Sequence, residues 1–371
     1  MKTFSFVYNE LNWDELKQKI YSKTEADVVR ALLSHKRNID DFMALVSPAA
    51  ERYTEHMKHI SNKLTQQRFG KIIQLYIPLY LSNYCVNSCV YCGFNRNNNI
   101  KRITLTYDEI EKECKIIKEQ GFDNILLVSG ESSEKTNFSY LLNALSIARK
   151  YFSAVSMEVQ PLNTTQYKEL VKAGLYGVYV YQETYNKEKY KIYHQDCLKA
   201  DFYYRLETPD RLGEANINKI GLGFLIGLDD WRTESVFMAL HLKYLEKKYW
   251  KTRYSVSFPR LRPYGNIFQP KVNITEKELT QLITAFRLFN TEIEITISTR
   301  ESPEFRDNSI KIGVTNLSAG SKTNPGGYTM TCETDNQFDV HDNRSPKEIA
   351  DKIKSLGYEV VWKDWFMFQI N

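Results

Sequence analysis

Residues 85–94 read CVNSCVYCGF, so Cys85, Cys89 and Cys92 fall within eight positions of one another. An apolar run at 72–81 precedes them and predicts a strand that leads into this loop. Thiolates at such spacing suit iron–sulfur or zinc ligation, and a closed structural site needs four ligands. No fourth cysteine lies nearby in the sequence, so a cluster held here would keep one iron open for chemistry. A structural zinc loop and a disulfide pair are the alternatives.

From residue 72 onward, short apolar or β-branched runs alternate with helical patterns. Eight such alternations predict an α/β fold, a (β/α)8 TIM-type barrel, whose active site lies at the carboxyl ends of the strands. The cysteine loop follows the first strand and therefore lies at that end. The predicted strands are 72–81, 124–129, 154–160, 177–182, 220–227, 253–258, 293–298 and 312–317, and the predicted helices between them include 107–120, 138–151, 165–173, 234–248 and 276–290.

The barrel is expected to occupy residues 71–318. Residues 1–70 are predicted to form an N-terminal helical extension packed on it, and 319–371 a C-terminal loop, helix and tail. Within the extension, Thr24 caps a helix through Leu33, as expected of Thr with Asp three positions later.

Two further helices are predicted outside the barrel repeats. Ser47 followed by Pro begins a helix that ends at Gly70. The segment 318–344 is rich in Gly, Asn, Thr and Asp and is predicted to be a loop. Ser345 then opens a capping box for a helix to about Leu356, and 358–362 is predicted to be a short strand.

Composition narrows the class of protein. The chain has 371 residues with 50 basic and 45 acidic side chains, and its net charge of +5 is too small to indicate a nucleic-acid or membrane partner. No signal peptide is evident, and no run approaches the ~18 apolar residues that span a bilayer. Cys114, Cys197 and Cys332 are scattered and receive no function. This cysteine usage favours a reducing cytoplasm over a secreted disulfide framework.

Polar residues at the predicted strand ends should face one cavity. Gly at the second strand end lets the backbone approach a ligand, and an Arg at the seventh can hold a carboxylate through two hydrogen bonds. For Arg300 the alternative is an ion pair with Glu301; for the others the alternatives are ordinary turns, surface solvation and close packing. The candidates are Ser129, Gly130 and Glu131, then Glu158 and Gln160, Gln182 and Glu183, Ile226, and Arg300.

The cysteine spacing, with Tyr91 before the last cysteine, resembles that of the radical S-adenosylmethionine (SAM) superfamily. Later stretches resemble one family within it, the ThiH-type tyrosine lyases of thiazole synthesis, or 2-iminoacetate synthases. The resemblance covers nearly the whole chain. It rests on residues 85–94, on EVQPL at 158–162, YQETY at 181–185, FPRLRP at 258–263, STRES at 298–302 and NPGGY at 324–328, and on matches at 337–339, 342–346 and 361–365.

The resemblance implies a four-iron four-sulfur (4Fe–4S) cluster on Cys85, Cys89 and Cys92, with SAM on the open iron. Residues 129–131 resemble the Gly-Gly-Glu element that holds the SAM amino group, although Ser replaces the first Gly. Ile226 and the glycines around it resemble the element that lies along adenine. The remaining residues expected at the cofactors are Tyr91, Phe94, Glu158 and Gln160, and those expected at the substrate are Arg300, Glu183 and Gln182.

The resemblance also implies a reaction. A flavodoxin- or ferredoxin-type donor reduces the cluster, and SAM is cleaved to methionine and a 5′-deoxyadenosyl radical. The radical removes a hydrogen atom from the amino group of L-tyrosine, and the Cα–Cβ bond then breaks to give p-cresol and 2-iminoacetate (dehydroglycine). Thiazole synthase is the expected consumer of 2-iminoacetate and the expected protein partner.

Other functions remain open at this point. The tyrosine lyase of hydrogenase maturation carries further cysteines in a C-terminal extension, whereas only Cys332 follows the predicted barrel here. A tryptophan lyase and a biotin synthase-like enzyme are further alternatives within the superfamily. Outside the enzymes, an electron-transfer protein or a scaffold with a structural cluster would also use three cysteines.

Overall fold

The computed structural model describes residues 2–195, 197–262, 268–329 and 335–363. Cys332, Pro263 and residues 364–365, which the sequence analysis mentioned, lie outside the described residues. Eight parallel strands form a closed barrel in sequence order, because β1 pairs with both β8 and β2. They are β1 Ile72–Ser82, β2 Asn124–Ser129, β3 Ala154–Glu158, β4 Leu175–Tyr179, β5 Lys219–Gly223, β6 Arg253–Ser257, β7 Glu294–Ile297 and β8 Asn316–Ser318.

Strand β1 shows how the sequence separates the two faces of the barrel wall. Its odd-numbered residues from Ile73 to Leu81 belong to the main hydrophobic core, whereas Gln74, Tyr76, Pro78 and Tyr80 line the central cavity. This alternation follows from the two-residue period of a strand. The interior of the barrel is therefore partly polar, and the apolar core lies between the strands and the surrounding helices.

Helices in the crossovers between the strands surround the barrel. Thr106, Asn163 and Thr275 begin three of them with capping boxes. The crossover helices are α6 Tyr107–Glu119, α7 Phe138–Ala148, α8 Thr164–Lys172, α9 Lys187–Tyr193, α10 Phe202–Leu206, α11 Thr208–Glu214, α12 Trp231–Lys248, α13 Glu276–Phe289 and α14 Pro303–Ser309, with a 3₁₀ turn at Leu198–Ala200. The five predicted barrel helices are confirmed, and α12 begins three residues early because Asp230 caps it. No helix was predicted from the sequence at α9, α10, α11 or α14.

The N-terminal residues form α1 Phe4–Tyr8, α2 Trp13–Tyr21, α3 Glu25–Leu33, α4 Ile39–Val46 and α5 Thr54–Phe69. Helices α2 and α4 pack on α12, and α4 and α5 pack on α13. The predicted cap at Thr24 is confirmed. The single helix predicted from Ser47 to Gly70 is wrong in its first part, where Pro48–Tyr53 forms a 3₁₀ helix before α5 begins.

Four predicted strands at the barrel differ from the structure by more than one residue. The third ends at Glu158 and not at residue 160, and the fourth is Leu175–Tyr179 and not 177–182. The last is shorter than 312–317, because Gly313 has a φ of +126° that no strand accommodates and β8 begins at Asn316. The fifth was predicted to run to residue 227 but ends at Gly223, so Ile226 lies beyond it in a single bridge to Arg260.

The residues after the barrel follow the prediction. A loop leads to α15 Pro346–Ser355, which Ser345 begins with a capping box, and then to β9 Glu359–Val361, which pairs with the start of β1. The division into units at residues 70 and 318 stays a prediction. Among the described residues, no helix has the length and apolar character needed to cross a membrane.

Candidate active site

A cavity opens at the carboxyl ends of the barrel strands, beneath the cysteine loop. Cys85, Cys89 and Cys92 all line it, as do Glu158 from β3 and Arg300 from the loop after β7. The cavity continues down the barrel to polar residues near the start of the strands, among them Gln74, Asn124 and Asn316. The placement agrees with the rule that barrel enzymes work at the carboxyl ends of their strands.

The cysteine loop is held by hydrogen bonds to its backbone. The Val86 amide donates to the Glu131 carbonyl over 2.9 Å, and the Asn95 side chain donates to the Cys89 carbonyl over 3.0 Å. Arg102 donates to four backbone carbonyls, those of Asn83, Phe94, Asn95 and Asn98, at 2.6–3.2 Å. Arg102 was not predicted from the sequence, because nothing in its local pattern indicates that its side chain donates to the backbone of this loop.

The pKa values of all three thiols are raised above the ordinary value for cysteine. Burial raises the pKa of Cys85 to about 11, and burial also raises the pKa of Cys92. The pKa of Cys89 is raised by a hydrogen bond with the Cys197 thiol and by burial. Within the described ranges, no three His, Cys, Asp or Glu side chains are arranged around a single metal ion. All three thiols line one cavity, and a 4Fe–4S cluster binds each of its cysteines through a different iron, so the set fits such a cluster.

Gly130 follows the last residue of β2, at the point where the chain lies against the cysteine loop. A Cβ added to Gly130 would lie 2.2 Å from the Tyr84 carbonyl oxygen and 3.2 Å from Cys85 Cβ. Glycine is therefore required by the close approach of the two loops. Beside it, the Ser129 hydroxyl is buried without a hydrogen-bond partner and lines the cavity, so it is available to a ligand.

Two carboxylates, one after β2 and one after β4, share one arginine. Arg205 lies 3.3 Å from Glu131 and 3.4 Å from Glu183. Asn87 in the cysteine loop donates to Glu131 over 2.5 Å, and Lys199 pairs with Glu183 at 2.6 Å. Although burial opposes it, the charges of Lys199 and Arg205 hold the pKa of Glu183 below its ordinary value. Glu183 also has a φ of +69°, which is unusual for a residue with a Cβ and marks a strained position.

The pKa of Glu158 shifts in the opposite direction to that of Glu183. Burial and the charge of Glu183 raise its pKa to about 7, against the attraction of Arg300. A carboxyl with such a pKa can gain or lose a proton at neutral pH, a property common at functional sites.

Arg300 does not pair with its neighbour Glu301. Glu301 accepts from Arg260 Nε over 2.8 Å and from Arg260 Nη2, and Arg262 lies 3.5 Å away. The guanidinium of Arg300 instead lies over the Phe338 ring and lines the cavity. Burial lowers its pKa, and the carboxylates of Glu158 and Glu183 oppose that shift. Among the described residues, no carboxylate forms a salt bridge with Arg300, so the Arg300–Glu301 alternative is wrong.

Most of the predicted site residues are brought together. Tyr91, Phe94 and Glu131 line the cavity with the others already described, and the Tyr91 hydroxyl lies 2.7 Å from His194 Nε2. Three predicted residues do not line it. Gln160 donates to the Thr136 carbonyl, the Gln182 side chain is buried, and Ile226 lies in the hydrophobic core, where Leu225 takes its place at the cavity.

Several cavity residues were missed by sequence reasoning. Tyr80 could have been found, since it alternates with the outward Leu79 and Leu81 on a predicted strand. Lys199 and Arg205 fall in a region with no predicted element. Gln337 and Phe338 were quoted for the family resemblance, but only the closed fold places them over the cavity.

Comparisons with known proteins agree with this geometry. The sequence pattern of the Radical SAM superfamily matches residues 79–240, and that of the Biotin and Thiamin Synthesis associated domain matches residues 257–359. The chain is 50% identical to 2-iminoacetate synthase of Escherichia coli (strain K12) over 366 residues, which are 98% of this chain and 97% of the relative. The chain belongs to the 2-iminoacetate synthase family. Its cofactors are the 4Fe–4S cluster and SAM of the radical SAM enzymes.

Two solved structures resemble this member of the 2-iminoacetate synthase family. HydG, a maturase of the [FeFe]-hydrogenase, superposes with a TM-score of 0.88 at 30% identity, covering 94% of this chain and 80% of HydG. Methylornithine synthase (PylB) superposes with a TM-score of 0.71 at 18% identity, covering 90% of this chain and 97% of PylB, and shares the fold. The predicted radical SAM barrel is confirmed.

Proposed function

We propose that this chain is a radical SAM lyase that cleaves the Cα–Cβ bond of L-tyrosine to 2-iminoacetate and p-cresol, with formation of methionine and 5′-deoxyadenosine. The observation that carries the substrate assignment is Arg300, a half-buried guanidinium that faces the same cavity as the three thiols and forms no salt bridge with any described carboxylate. A planar guanidinium in a dry cavity is suited to the two oxygens of an amino-acid carboxylate.

The cofactors have a matching set of residues. Cys85, Cys89 and Cys92 would hold the cluster, and the backbone and side chains of Ser129, Gly130 and Glu131 would hold the amino group of SAM. When bound, the cluster and SAM supply a 5′-deoxyadenosyl radical that can remove a hydrogen atom from the substrate. Tyr91 and Phe94 would contact SAM from the cysteine loop. Gln160 and Ile226 remain predicted contacts, and they would have to reach SAM from outside the present cavity lining.

Of the acidic side chains Glu183 and Glu158 in the cavity, Glu183 is held in salt bridges and Glu158 can exchange a proton. Glu183 is already held by Lys199 and Arg205, so its role is to fix these cations and the strand-end loop rather than to move protons. Glu158 has a pKa of about 7 and can accept a proton from an ammonium group inside the cavity at neutral pH. Tyr80, Tyr181 and Phe338 contribute aromatic surface to the cavity lining, which suits a phenol ring. Gln182 remains a predicted substrate residue.

We further propose that thiazole synthase consumes the 2-iminoacetate and binds this enzyme, since an imine that hydrolyses readily is best passed on directly. A flavodoxin- or ferredoxin-type protein is the proposed electron donor. The enzyme is expected to work in the reducing cytoplasm, because the cysteines outside the cluster loop are scattered in the sequence and do not suggest a disulfide framework.

The test is an anaerobic assay of the iron–sulfur-reconstituted protein with SAM, dithionite and L-tyrosine. We expect p-cresol and 5′-deoxyadenosine to form together. Deoxyadenosine without p-cresol would keep the radical SAM chemistry but assign another substrate, and L-tryptophan with indole-ring products would be tried next. If protein with full iron content formed neither product, that result would contradict the proposed function. Protein with Cys85→Ala serves as the matched control for chemistry that does not need the cluster.

A further inference from the structure

The C-terminal segment 335–342 reaches back over the mouth of the barrel and contacts the cysteine loop directly. The Gly93 amide donates to the Gln337 carbonyl over 3.2 Å, and the Gln337 amide donates to the Thr323 carbonyl over 3.0 Å. A Cβ on Gly93 would lie 2.6 Å from the Asn336 carbonyl oxygen and 2.7 Å from that of Gln337. The glycine that follows Cys92 therefore lets this segment lie against the loop.

The side chain of Gln337 is held at both of its polar atoms. The Tyr80 hydroxyl donates to Gln337 Oε1 over 2.7 Å. This bond turns the amide nitrogen toward the cysteine loop, where Nε2 lies 3.9 Å from Cys92 Sγ and donates to it. The two residues are 245 positions apart in the sequence, so this contact exists only in the folded chain.

An N–H group that donates to a cysteine sulfur stabilises negative charge on it. A reduced cluster carries one more negative charge than the oxidised cluster, and part of that charge lies on the cysteine sulfurs. A donor to a ligand sulfur therefore stabilises the reduced form more and raises the reduction potential. The effect grows as less water reaches the sulfur, because the local dielectric constant is then lower, and Cys92 is half-buried in the cavity lining.

We propose that Gln337 raises the reduction potential of the cluster held by Cys85, Cys89 and Cys92, through its hydrogen bond to Cys92 Sγ. Gln337 acts on the cluster through Cys92 and touches no reacting atom, so it is not a catalytic residue. The inference depends on a cluster being bound by the cysteine loop and is independent of the substrate, so it stands even if tyrosine proves to be the wrong substrate.

Gln337 offers a clean test because the other hydrogen bonds to these thiols cannot be removed as simply. In the described residues they come from the backbone amides of Asn87, Glu131 and Phe94. A substitution at Gln337 removes one donor and leaves every cysteine in place.

The experiment is a redox titration of the reconstituted holoenzyme, followed by the electron paramagnetic resonance signal of the reduced cluster. In the Gln337→Met variant, which keeps the side-chain volume, the midpoint should become more negative. At a fixed applied potential, we expect the ratio of reduced to oxidised cluster to fall about three- to tenfold, the change that corresponds to one hydrogen bond. Gln337→Asn keeps an amide but shortens its reach by one methylene, and it should shift the midpoint in the same direction.

The control is Asn336→Ala, which changes the exposed residue before Gln337 in the same segment without removing a donor to sulfur. Its midpoint should equal that of the unsubstituted protein. Equal shifts in Asn336→Ala and Gln337→Met would overturn the proposal, because displacement of the segment would then explain both. Unchanged midpoints in Gln337→Met and Gln337→Asn, with full iron content, would overturn it as well.

Discussion

The guanidinium of Arg300 lies 3.3 Å from the centroid of the Phe338 ring. Such stacking orients the guanidinium plane without neutralising its charge, whereas an ion pair with a carboxylate would occupy its donors. The neighbouring Glu301, which could have formed that pair, is held by Arg260. The seventh strand end therefore presents a fixed cation to the cavity, and this arrangement leads directly to a test of substrate binding.

Replacing Arg300 by Lys should weaken tyrosine binding more than it affects SAM cleavage in the absence of tyrosine. Lys cannot form the bidentate pair or stack on Phe338 in the same way. The apparent affinity for tyrosine should fall about ten- to a hundredfold, as expected for the loss of one hydrogen bond to a charged group. The measurements are p-cresol formation against tyrosine concentration and deoxyadenosine formation without tyrosine. Equal loss of both activities would mean that Arg300 supports SAM or the fold instead.

Replacing Cys85, Cys89 or Cys92 by Ala should abolish SAM cleavage and lower the iron content, because each change removes one cluster ligand. Cys114 offers the matched control, since it is a buried cysteine of α6 that does not line the cavity. Cys114→Ala should keep both the iron and the activity. If one of these loop variants retained full turnover, the cysteine replaced in it would not be a cluster ligand.

The parts of the site that follow local rules were predictable. Three cysteines at short spacing mark the cluster loop, and the two-residue period of the strands with polar residues at their ends marks the cavity wall. Errors arose where a strand ended sooner than its apolar run. Beyond Glu158 the chain turns and Gln160 hydrogen-bonds to the Thr136 carbonyl, and beyond Gly223 the amide of Ile226 pairs with the Pro259 carbonyl.

The parts that depend on long-range contacts were not predictable from local patterns. Lys199 and Arg205 reach Glu183 from the crossover after β4, and Gln337 reaches Cys92 from beyond the barrel. A Lys, an Arg and a Gln in polar segments look like solvated surface residues until the barrel closes. Only the resemblance to a family pointed to residues 337–339 as special, and it did not indicate what they contact.

Gly130→Ala should impair cluster uptake, because the new Cβ would lie 2.2 Å from the Tyr84 carbonyl and would push the cysteine loop away. Overpacking of this kind costs about 1–3 kcal/mol of folding stability. Gly121→Ala is the comparison, since Gly121 has a φ of +96° and nothing within 4 Å of the added Cβ. That variant should lose stability through backbone strain alone and bind iron normally. Iron content and thermal unfolding of both variants check the distinction, and full iron content in Gly130→Ala would contradict it.

Glu234 should make the protein less stable as the pH rises toward 8. It lies in the first turn of α12, where it accepts from Thr184 Oγ1 and from the Tyr185 amide, and burial raises its pKa from 4.5 to about 8. Between these values the folded protein keeps a proton that the unfolded chain has lost, so folding stability falls with rising pH.

Glu234→Gln has a single amide oxygen, which can replace only one of the two carboxylate oxygens that accept from Thr184 Oγ1 and the Tyr185 amide, so it loses one hydrogen bond at every pH. The variant side chain cannot ionise. Its free energy of unfolding, relative to the unsubstituted protein, should therefore rise with pH across that window, by at most about 1.4 kcal/mol per pH unit. Glu158, whose pKa is about 7, keeps its own contribution, so the variant retains some decline up to that pH. Urea unfolding at several pH values between 4.5 and 8 measures both slopes. Parallel curves for the two proteins would show that Glu234 is already ionised in the fold, held by the donors of the strand-end loop that carries Glu183.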